Sequence, residues 1–387
     1  MENNRLTDAQ TIVAHDPHDE RHYGAVTQPI YQNSLFTFNS YDRFLEAMQD
    51  EIGTSIYTRG TNPTVKELEH RLAKLEGGEE ARCFASGMAA ISASILSAVG
   101  AGDHIVCVNE AYGPAVQFMG TYLTRFQIET TFVDGTDLGA IEAAIRENTK
   151  LIYLESPTSL FFSILDIPAI VGVAKRIGAR TIIDNTWATP CYQRPLEMGV
   201  DLVVHSLTKY IGGHSDALGG AVIGRSEFMK PLIKGEFMLL GGIMTPANAN
   251  LMMRGLRTLP LRMEKYQQQG LEVASWLEKH PRVTKMNHPG LPSHPHYELA
   301  AKLMSGTGSL FSFETTVPIE TMRRWAERLR YFRIGVSWGG YESLVTVHPV
   351  PRSRPGPART LVRLYIGLES VDDIILDLQE AFAGIEA

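Results

Sequence analysis

The sequence predicts an α/β protein built around a mostly parallel sheet, and two observations support this fold class. Between residues 61 and 246, short apolar segments alternate with segments of helical periodicity. Strands and helices in this order form right-handed βαβ units, whose parallel sheets are covered on both faces. After residue 246, long helical segments with few strands predict a smaller C-terminal α/β domain over 247–387. Residues 1–60 have little periodicity, so we expect an extended arm that lies on another surface.

The first well-marked element is a helix that begins at Pro63. Asn62 suits the N-cap, proline suits the first helical position, and Gly77 suits the end. Further helices are predicted over 87–99, 115–126, 138–148 and 167–178, and strands over 104–108, 129–133, 150–156, 180–184, 201–206 and 219–224.

The C-terminal part opens with a long helical region over 248–280. Pro260 interrupts this region, so we expect a kink or a break there. Strands are predicted over 309–315 and 361–367, and helices near 319–330 and 371–384.

Composition and charge exclude several classes of protein. The chain has a net charge of -7 and a pI near 6.0, which argues against a nucleic-acid-binding protein. The polar N-terminus does not resemble a signal peptide, and no apolar run is long enough to cross a membrane. The three cysteines, Cys83, Cys107 and Cys191, are too scattered for a disulfide framework. We therefore expect a soluble, cytoplasmic protein.

Common phosphate-binding and metal-binding motifs are missing. The sequence has no G-x-G-x-x-G and no G-x-x-x-x-G-K-[ST] motif. The twelve histidines form no H-E-x-x-H pair, and no Cys/His spacing fits zinc. We expect no metal centre, and we expect His205 and His214 to pack or hydrogen-bond near the segment between them.

Three features nevertheless indicate a ligand site. Ser86 and Gly87 precede an apolar helix, whose first N–H groups can hold a phosphate, although such a serine is often only an N-cap. Asp184 ends a predicted central strand, where a carboxylate needs solvent, a cap or a partner. Lys209 follows the next predicted strand, where it is either exposed, paired or covalently used.

Taken together, these features fit one cofactor. Its phosphate would meet the helix start and the hydroxyls of Ser206 and Thr208, its cationic ring nitrogen would meet Asp184, and its aldehyde would meet Lys209. Pyridoxal phosphate has all three groups, and a lysine Schiff base with an acidic partner for the ring nitrogen is its usual arrangement. The Lys209 segment therefore predicts a pyridoxal-phosphate site.

A series of motifs extends this interpretation along nearly the whole chain. In order, they are YTRGTNPT, SGMAA, ESPTS, IDNTWATP, HSLTKYIGGHSD, RGLRTLPLRM and SWGGYESL. This series resembles the cystathionine β-lyase, cystathionine γ-synthase and methionine γ-lyase family of fold-type I pyridoxal-phosphate enzymes. SWGGYES and GHSDA are most similar to the β-lyase members. The resemblance implies the fold-type I architecture and a homo-oligomer, expected to be a tetramer built from dimers with shared active sites.

The resemblance also implies roles for individual residues. Lys209 would anchor the cofactor and transfer protons, Asp184 would hold the ring nitrogen protonated, and Tyr112 would stack on the ring and act as a base. The phosphate would be bound by Ser86, Gly87, Met88, Ser206 and Thr208, with Tyr57 and Arg59 reaching into the neighbouring subunit. Arg363 and Ser337 would bind the α-carboxylate of the substrate, and Trp338 would offer an apolar wall.

These roles imply a carbon–sulfur lyase for sulfur amino acids that performs α,β-elimination. Gly60 stands where related cystathionine enzymes commonly have a second arginine. Val336 stands where γ-acting cystathionine enzymes often have an acidic residue, and Gln117 stands where some β-lyases have one. Ser159 replaces a common asparagine. We therefore expect a leaving group that is small or uncharged at its tip. A γ-lyase or γ-replacement enzyme remains open, with an aminotransferase or a non-catalytic cofactor-binding protein as alternatives of other classes.

Overall fold

The computed structural model describes residues 8–15, 22–351, 354 and 357–385, so parts of the predicted arm (1–7 and 16–21) lie outside the described residues. The helices are α1 (Ala9–Ala14), α2 (Tyr41–Gln49), α3 (Pro63–Glu76), α4 (Gly87–Leu96), α5 (Gly113–Gln117), α6 (Leu138–Ala143), α7 (Ile167–Ile177), α8 (Thr189–Tyr192), α9 (Ser226–Leu232), α10 (Met238–Leu240), α11 (Pro246–Leu256), α12 (Leu259–Glu278), α13 (Tyr297–Leu303), α14 (Ile319–Arg328) and α15 (Val371–Ala383). The strands are β1 (Glu80–Phe84), β2 (His104–Val108), β3 (Glu129–Val133), β4 (Thr149–Glu155), β5 (Arg180–Asp184), β6 (Leu202–Ser206), β7 (Gly220–Gly224), β8 (Lys285–Asn287), β9 (Leu310–Thr315), β10 (Arg333–Ile334), β11 (Leu344–Pro349) and β12 (Thr360–Tyr365).

The large sheet has seven strands in the order β1-β7-β6-β5-β4-β2-β3. The strands from β6 to β3 run parallel, which confirms the mostly parallel sheet. Strand β7 is antiparallel to both β6 and β1, and the segment 207–219 that links it to β6 consists of turns and contains no crossover helix. Strand β1 was not predicted, since Glu80 and Arg82 interrupt its apolar residues.

The carboxyl ends of three neighbouring strands define one edge of this sheet. Glu155 ends β4 and pairs in register with Asp184, which ends β5. Asp184 pairs in turn with Val204 on β6, two residues before Ser206 ends that strand. Ligand sites in α/β proteins lie at this edge of the sheet.

The second sheet has five strands in the order β10-β11-β12-β9-β8. Only β10 and β11 are parallel in it, and the other neighbours are antiparallel. The predicted strands 309–315 and 361–367 correspond to β9 and β12, whereas the short β8 and β10 and the adjacent β11 were missed.

Helix boundaries follow the predicted caps. The Asn62 side chain accepts a hydrogen bond from Thr64 N at 3.0 Å, and Gly77 ends α3 with a φ of 73°. The break expected at Pro260 is confirmed, with α11 ending at Leu256 and α12 beginning at Leu259. The helix predicted over 115–126 is instead α5 followed by a π-helical turn and a 3₁₀ turn.

Apolar side chains form the core on both faces of the large sheet, and a separate apolar cluster fills the second sheet and its helices. This packing fixes the strand ends around the polar edge described above. Across the described ranges, no helix is both long and apolar enough to cross a lipid bilayer.

Candidate active site

The start of helix α4 forms a tight cradle against β6 and β7. Ser86 Oγ accepts a hydrogen bond from Ala89 N at 3.1 Å, so this side chain is the N-cap. The N–H groups of Gly87 and Met88 lie in the first turn and have no acceptor within the helix. A Cβ atom at Gly87 would lie 2.8 Å from Ser206 Cβ, so only glycine allows this close approach. The cradle suits an anion such as a phosphate.

Asp184 presents a buried carboxylate at the end of β5. Thr186 donates to Asp184 Oδ1 twice, from its backbone N at 2.9 Å and from its hydroxyl at 2.5 Å. Burial raises the pKa of Asp184, and the Thr186 hydrogen bonds and the charges of His205 and Lys209 oppose that rise. No hydrogen bond to Oδ2 is formed by the described residues, so this oxygen is available for a cationic ligand atom.

Lys209 lies in the turn after β6, close to the second sheet. Its Nζ atom donates to Ser337 Oγ at 2.6 Å and lies 5.6 Å from the centroid of the Trp338 ring. Burial and the nearby Arg363 lower the pKa of Lys209 to about 8, although Asp184 opposes the shift. The amine is therefore more readily deprotonated than an exposed lysine, as a nucleophile or base requires.

Arg363 approaches the same site from the middle of β12. Its Nη2 atom donates to the carbonyl oxygen of Val336 at 2.8 Å, and burial lowers its pKa to about 10. No carboxylate of the described chain forms an ion pair with Arg363. A partly buried guanidinium without an acidic partner among the described residues indicates a site for an anionic ligand group.

Trp338 lies beside the Lys209 amine. Its ring meets the Tyr210 ring edge to face, with centroids 5.2 Å apart, so its orientation is fixed by packing. Gly339 follows with a φ of 91°, and a Cβ there would lie 2.6 Å from the Lys209 backbone. The segment 337–339 is therefore packed directly against the Lys209 turn.

Glu155 is a site residue that the sequence analysis missed. It accepts a hydrogen bond from Tyr112 N at 2.6 Å and another from Ser159 Oγ at 2.6 Å. Burial and the neighbouring Asp184 carboxylate raise the pKa of Glu155 to about 8, which favours the protonated form at neutral pH. Burial, Asp184 and Glu155 also raise the pKa of Tyr112. The signal was present in the sequence, since Glu155 stands one residue before the end of a predicted strand, much as Asp184 stands at the end of its own.

We expect Glu155 to position Tyr112 and Ser159 through hydrogen bonds. Glu155→Ala should lower kcat/KM by roughly 10- to 100-fold, because Tyr112 N and Ser159 Oγ both lose the acceptor that fixes their positions. Glu155→Gln keeps an oxygen for Tyr112 N and should stay within about threefold of the unmodified enzyme. Steady-state kinetics of both variants checks these expectations, and melting temperatures close to that of the unmodified enzyme show that the variants are folded. An equal loss in both variants would show that the acidic group itself is needed.

The remaining predicted residues differ in their placement. Thr208 Oγ1 is already hydrogen-bonded to the backbone of Gly219, at 3.1 Å to N and 3.3 Å to O. Arg59 donates to Met238 O at 3.3 Å and lies 5.9 Å from the Tyr57 ring. Within the described part of this single chain, neither Tyr57 nor Arg59 contacts Lys209. Gln117 is exposed at the end of α5.

The arrangement fits pyridoxal phosphate in each of its functional groups. The cradle at α4 and Ser206 would take the phosphate, Asp184 Oδ2 the ring nitrogen, and Lys209 the aldehyde. Tyr112 is the N-cap of α5 and is 42% exposed, so its ring is free to face a ligand. The α/β fold with this set of groups defines a pyridoxal-phosphate-dependent enzyme.

Comparison with known proteins identifies the family. Residues 9–383 match the family described as Cys/Met metabolism PLP-dependent enzyme, and the chain belongs to this family. An L-methionine gamma-lyase from Porphyromonas gingivalis is 41% identical over 93% of this chain and 93% of its own length. A cystathionine beta-lyase from Lactococcus lactis is 38% identical over 97% of this chain and 99% of its own length. The chain is thus a member of a lyase family that acts on sulfur amino acids through pyridoxal phosphate.

Solved structures agree with this assignment. The metB structure from Corynebacterium glutamicum matches with a TM-score of 0.90 and 34% identity, covering 98% of this chain and 99% of that one. A putative O-acetylhomoserine (thiol)-lyase from Campylobacter jejuni matches with a TM-score of 0.90 and 32% identity, covering 97% of this chain and 99% of that one. That structure holds N'-pyridoxyl-lysine-5'-monophosphate at position 205.

Proposed function

We propose that the protein is a carbon–sulfur lyase for sulfur amino acids whose side chains end in an uncharged group. It would release a thiol, ammonia and a 2-oxo acid by α,β-elimination, as a cystathionine β-lyase does. The observation that carries this proposal is the convergence of Lys209, Arg363 and Ser337, which matches the α-amino and α-carboxylate groups of any amino acid.

The substrate α-carboxylate would lie against the Arg363 guanidinium, which can bind both oxygens in a fork. This contact fixes Cα near the Lys209 amine. Pyridoxal phosphate, when bound, supplies a sink for the electron pair left on Cα. Asp184 supports that sink by keeping a proton at the ring nitrogen.

Lys209 Nζ would take the proton from Cα, since its lowered pKa leaves a larger fraction of neutral amine. The bond between Cβ and sulfur then breaks, and the electron pair leaves with the thiolate. The proton that Lys209 or Tyr112 carries neutralises the thiolate. The released 2-aminoacrylate takes up water and gives pyruvate and ammonia.

The groups near the far end of the substrate favour an uncharged tip. Val336 is 87% exposed, contacts Arg363 through its backbone carbonyl oxygen, and carries no charge. Gly60 follows Arg59 on the arm, so it would lie near the substrate of the neighbouring subunit, where it offers no charge. Within its own chain Gly60 is buried, and a Cβ atom there would lie 3.2 Å from Glu51 O and 3.5 Å from Met238 Sδ. A distal carboxylate or amine, as in cystathionine, would lose water here without gaining a partner.

A second candidate is α,γ-elimination, which is favoured by the similarity to proteins named L-methionine gamma-lyase. The same site would serve, with one further proton removed from Cβ by Lys209. The released 2-oxo acid distinguishes the two reactions, because β-elimination gives pyruvate and γ-elimination gives 2-oxobutyrate.

We expect kcat/KM for S-methylcysteine to exceed that for cystathionine by at least about tenfold. The site offers partners only for the α-amino and α-carboxylate groups, which both substrates share, and none for the distal charges of cystathionine. The assay would use a panel with methionine and no added amino acceptor, and would identify the 2-oxo acid and ammonia. A kcat/KM for cystathionine far above the values for the other substrates would contradict the proposal. Product formation only with an added 2-oxo acid would indicate an aminotransferase.

Gly60→Arg provides a matched test of the distal end. The added guanidinium should improve cystathionine relative to S-methylcysteine, whereas Gly60→Ala adds the same Cβ atom without the charge and should not. Equal effects of both variants would show that crowding near Glu51, and not charge, sets the preference.

We also infer that the protein works as a homo-oligomer with shared sites, expected to be a tetramer. The arm carries large exposed apolar side chains, including Tyr23, Val26 and Tyr41 at 103%, 84% and 75% exposure. Such a surface is typical of an interface. Tyr57 and Arg59 lie on this arm away from Lys209, which suits a role in the neighbouring subunit.

Mixing two inactive variants tests the shared site. Arg59→Ala and Lys209→Ala chains should each have little activity. A mixed dimer contains one site with both native residues, so it should have roughly a quarter to a half of the activity of the unmodified enzyme. Co-expression with two different affinity tags isolates the mixed species. Verified mixed dimers without any regained activity would contradict sharing between subunits.

A further inference from the structure

Two buried tyrosines hold one end of segment 336–340, which carries two of the proposed substrate-site residues. The hydroxyl of Tyr266 donates to the carbonyl oxygen of Gly340 at 2.8 Å, and the hydroxyl of Tyr365 donates to the same oxygen at 2.6 Å. Both tyrosines are fully buried. A carbonyl oxygen has two lone pairs, so this single acceptor can serve both hydroxyls. The roles proposed above leave these two tyrosines unused.

The other end of this segment is held by Arg363. Arg363 Nη2 donates to the carbonyl oxygen of Val336 at 2.8 Å. Arg363 and Tyr365 are two residues apart on strand β12, so their side chains stand on the same face of the sheet. One strand therefore fixes both ends of segment 336–340, through the proposed substrate cation at one end and a tyrosine hydroxyl at the other.

The residues between these two ends face the Lys209 turn. Ser337 Oγ accepts a hydrogen bond from Lys209 Nζ at 2.6 Å. The Trp338 ring lies edge to face against the Tyr210 ring, with centroids 5.2 Å apart. A Cβ atom at Gly339 would lie 2.6 Å from the Lys209 backbone, so the segment has no room to move toward the lysine. The hydrogen bonds at its two ends keep it from moving away.

We propose that Tyr266 and Tyr365 are positioning residues that set the shape of the site for the substrate α-carboxylate. Through the carbonyl oxygen of Gly340, they hold Ser337 at the distance from Arg363 that the carboxylate requires. The proposal rests on the carboxylate site of the proposed function, and it does not depend on which sulfur amino acid is the substrate.

The shared acceptor explains why the two tyrosines act together. Gly340 is buried, so its carbonyl oxygen needs a donor from the protein. Loss of one hydroxyl leaves this oxygen with one donor. Loss of both leaves a buried oxygen without either of its donors, which is unfavourable and promotes a shift of the segment. The effect of losing both hydroxyls should therefore exceed the sum of the two separate effects.

The test measures the binding of two ligands that differ in the α-carboxylate. Holoenzyme is titrated with alanine, which has no leaving group at Cβ, and with alaninamide, in which a neutral amide replaces the carboxylate. Binding is read from the change in the visible absorbance of the cofactor. Tyr365→Phe should weaken alanine binding by about threefold, and the double variant Tyr266→Phe/Tyr365→Phe should weaken it by about 30-fold. Alaninamide has no carboxylate to be held, so its binding should weaken by less than about twofold in both variants.

Tyr153→Phe is the matched control. Tyr153 is fully buried in β4, and its hydroxyl has no hydrogen-bond partner within the described part of the chain. Removal of this hydroxyl should change neither affinity. A merely structural role of the two tyrosines predicts equal losses for alanine and alaninamide, and either that outcome or unchanged affinities would overturn the proposal. If the double variant does not fold, Tyr365→Phe alone decides between the same outcomes.

Arg363→Ala distinguishes a failure of this proposal from a failure of the proposed function. This variant should also lose affinity for alanine more than for alaninamide. If the selective loss appears in Arg363→Ala but not in the tyrosine variants, the carboxylate site stands and the positioning role is overturned. If Arg363→Ala leaves alanine binding unchanged, the carboxylate site fails and this proposal fails with it. A failed substrate panel affects neither result, because binding is the readout.

Discussion

Lys209→Ala is expected to lower kcat/KM by at least about 10⁴-fold, the upper range for the loss of one proton-transfer group, because the anchor of the cofactor is lost as well. The purified variant should also lose the visible absorbance of the covalently bound cofactor. The structure supports this size of effect, since Lys209 is the amine that lies against Ser337, Trp338 and the cofactor-facing end of β6. Absorbance spectra and steady-state kinetics of the same preparation check both parts.

Lys150→Ala serves as the control for this result. Lys150 is exposed near the start of β4, at the opposite end of the strand from Glu155, and its loss should leave the spectrum and the kinetics unchanged. A Lys209→Ala spectrum identical to that of the unmodified enzyme would assign the anchor to another lysine.

Arg363→Ala is expected to lower kcat/KM by at least roughly 30-fold, because about 2 kcal/mol is the lower end of the cost of removing one partner from a hydrogen-bonded charge pair. Most of the loss should appear as a higher KM, because the contact binds the unreacting carboxylate of the substrate. The guanidinium has no carboxylate partner within the described protein, so its removal leaves no protein charge unpaired. Melting temperature should therefore change little.

Arg363→Lys separates charge from geometry. It keeps the cation but loses the planar fork, so an intermediate KM is expected. Arg333→Ala, an exposed arginine on β10 of the same sheet, should behave as the unmodified enzyme. An Arg363→Ala variant with unchanged KM for every amino acid tested would show that Arg363 does not bind the substrate.

Helix α3 shows which parts of the fold can be predicted from sequence. Its N-cap, first-turn proline and terminal glycine are local signals, and the structure places the boundaries where they predict. Strand β7 shows the opposite case, because its apolar sequence predicts a strand but does not fix its direction. That direction depends on the length of the connection from β6 and on pairing with β1, which are long-range features.

The sequence by itself predicted the parallel α/β class and the cofactor, and it singled out Lys209, Asp184 and Arg363 as candidate site residues, because motifs and strand ends are local features of the chain. Only the tertiary structure decided which distant groups share one environment. Glu155 beside Asp184, Ser337 on the Lys209 amine, and Tyr266 on the Gly340 carbonyl oxygen come from segments far apart in sequence. Their distances arise from sheet register and helix packing, which depend on the whole folded chain.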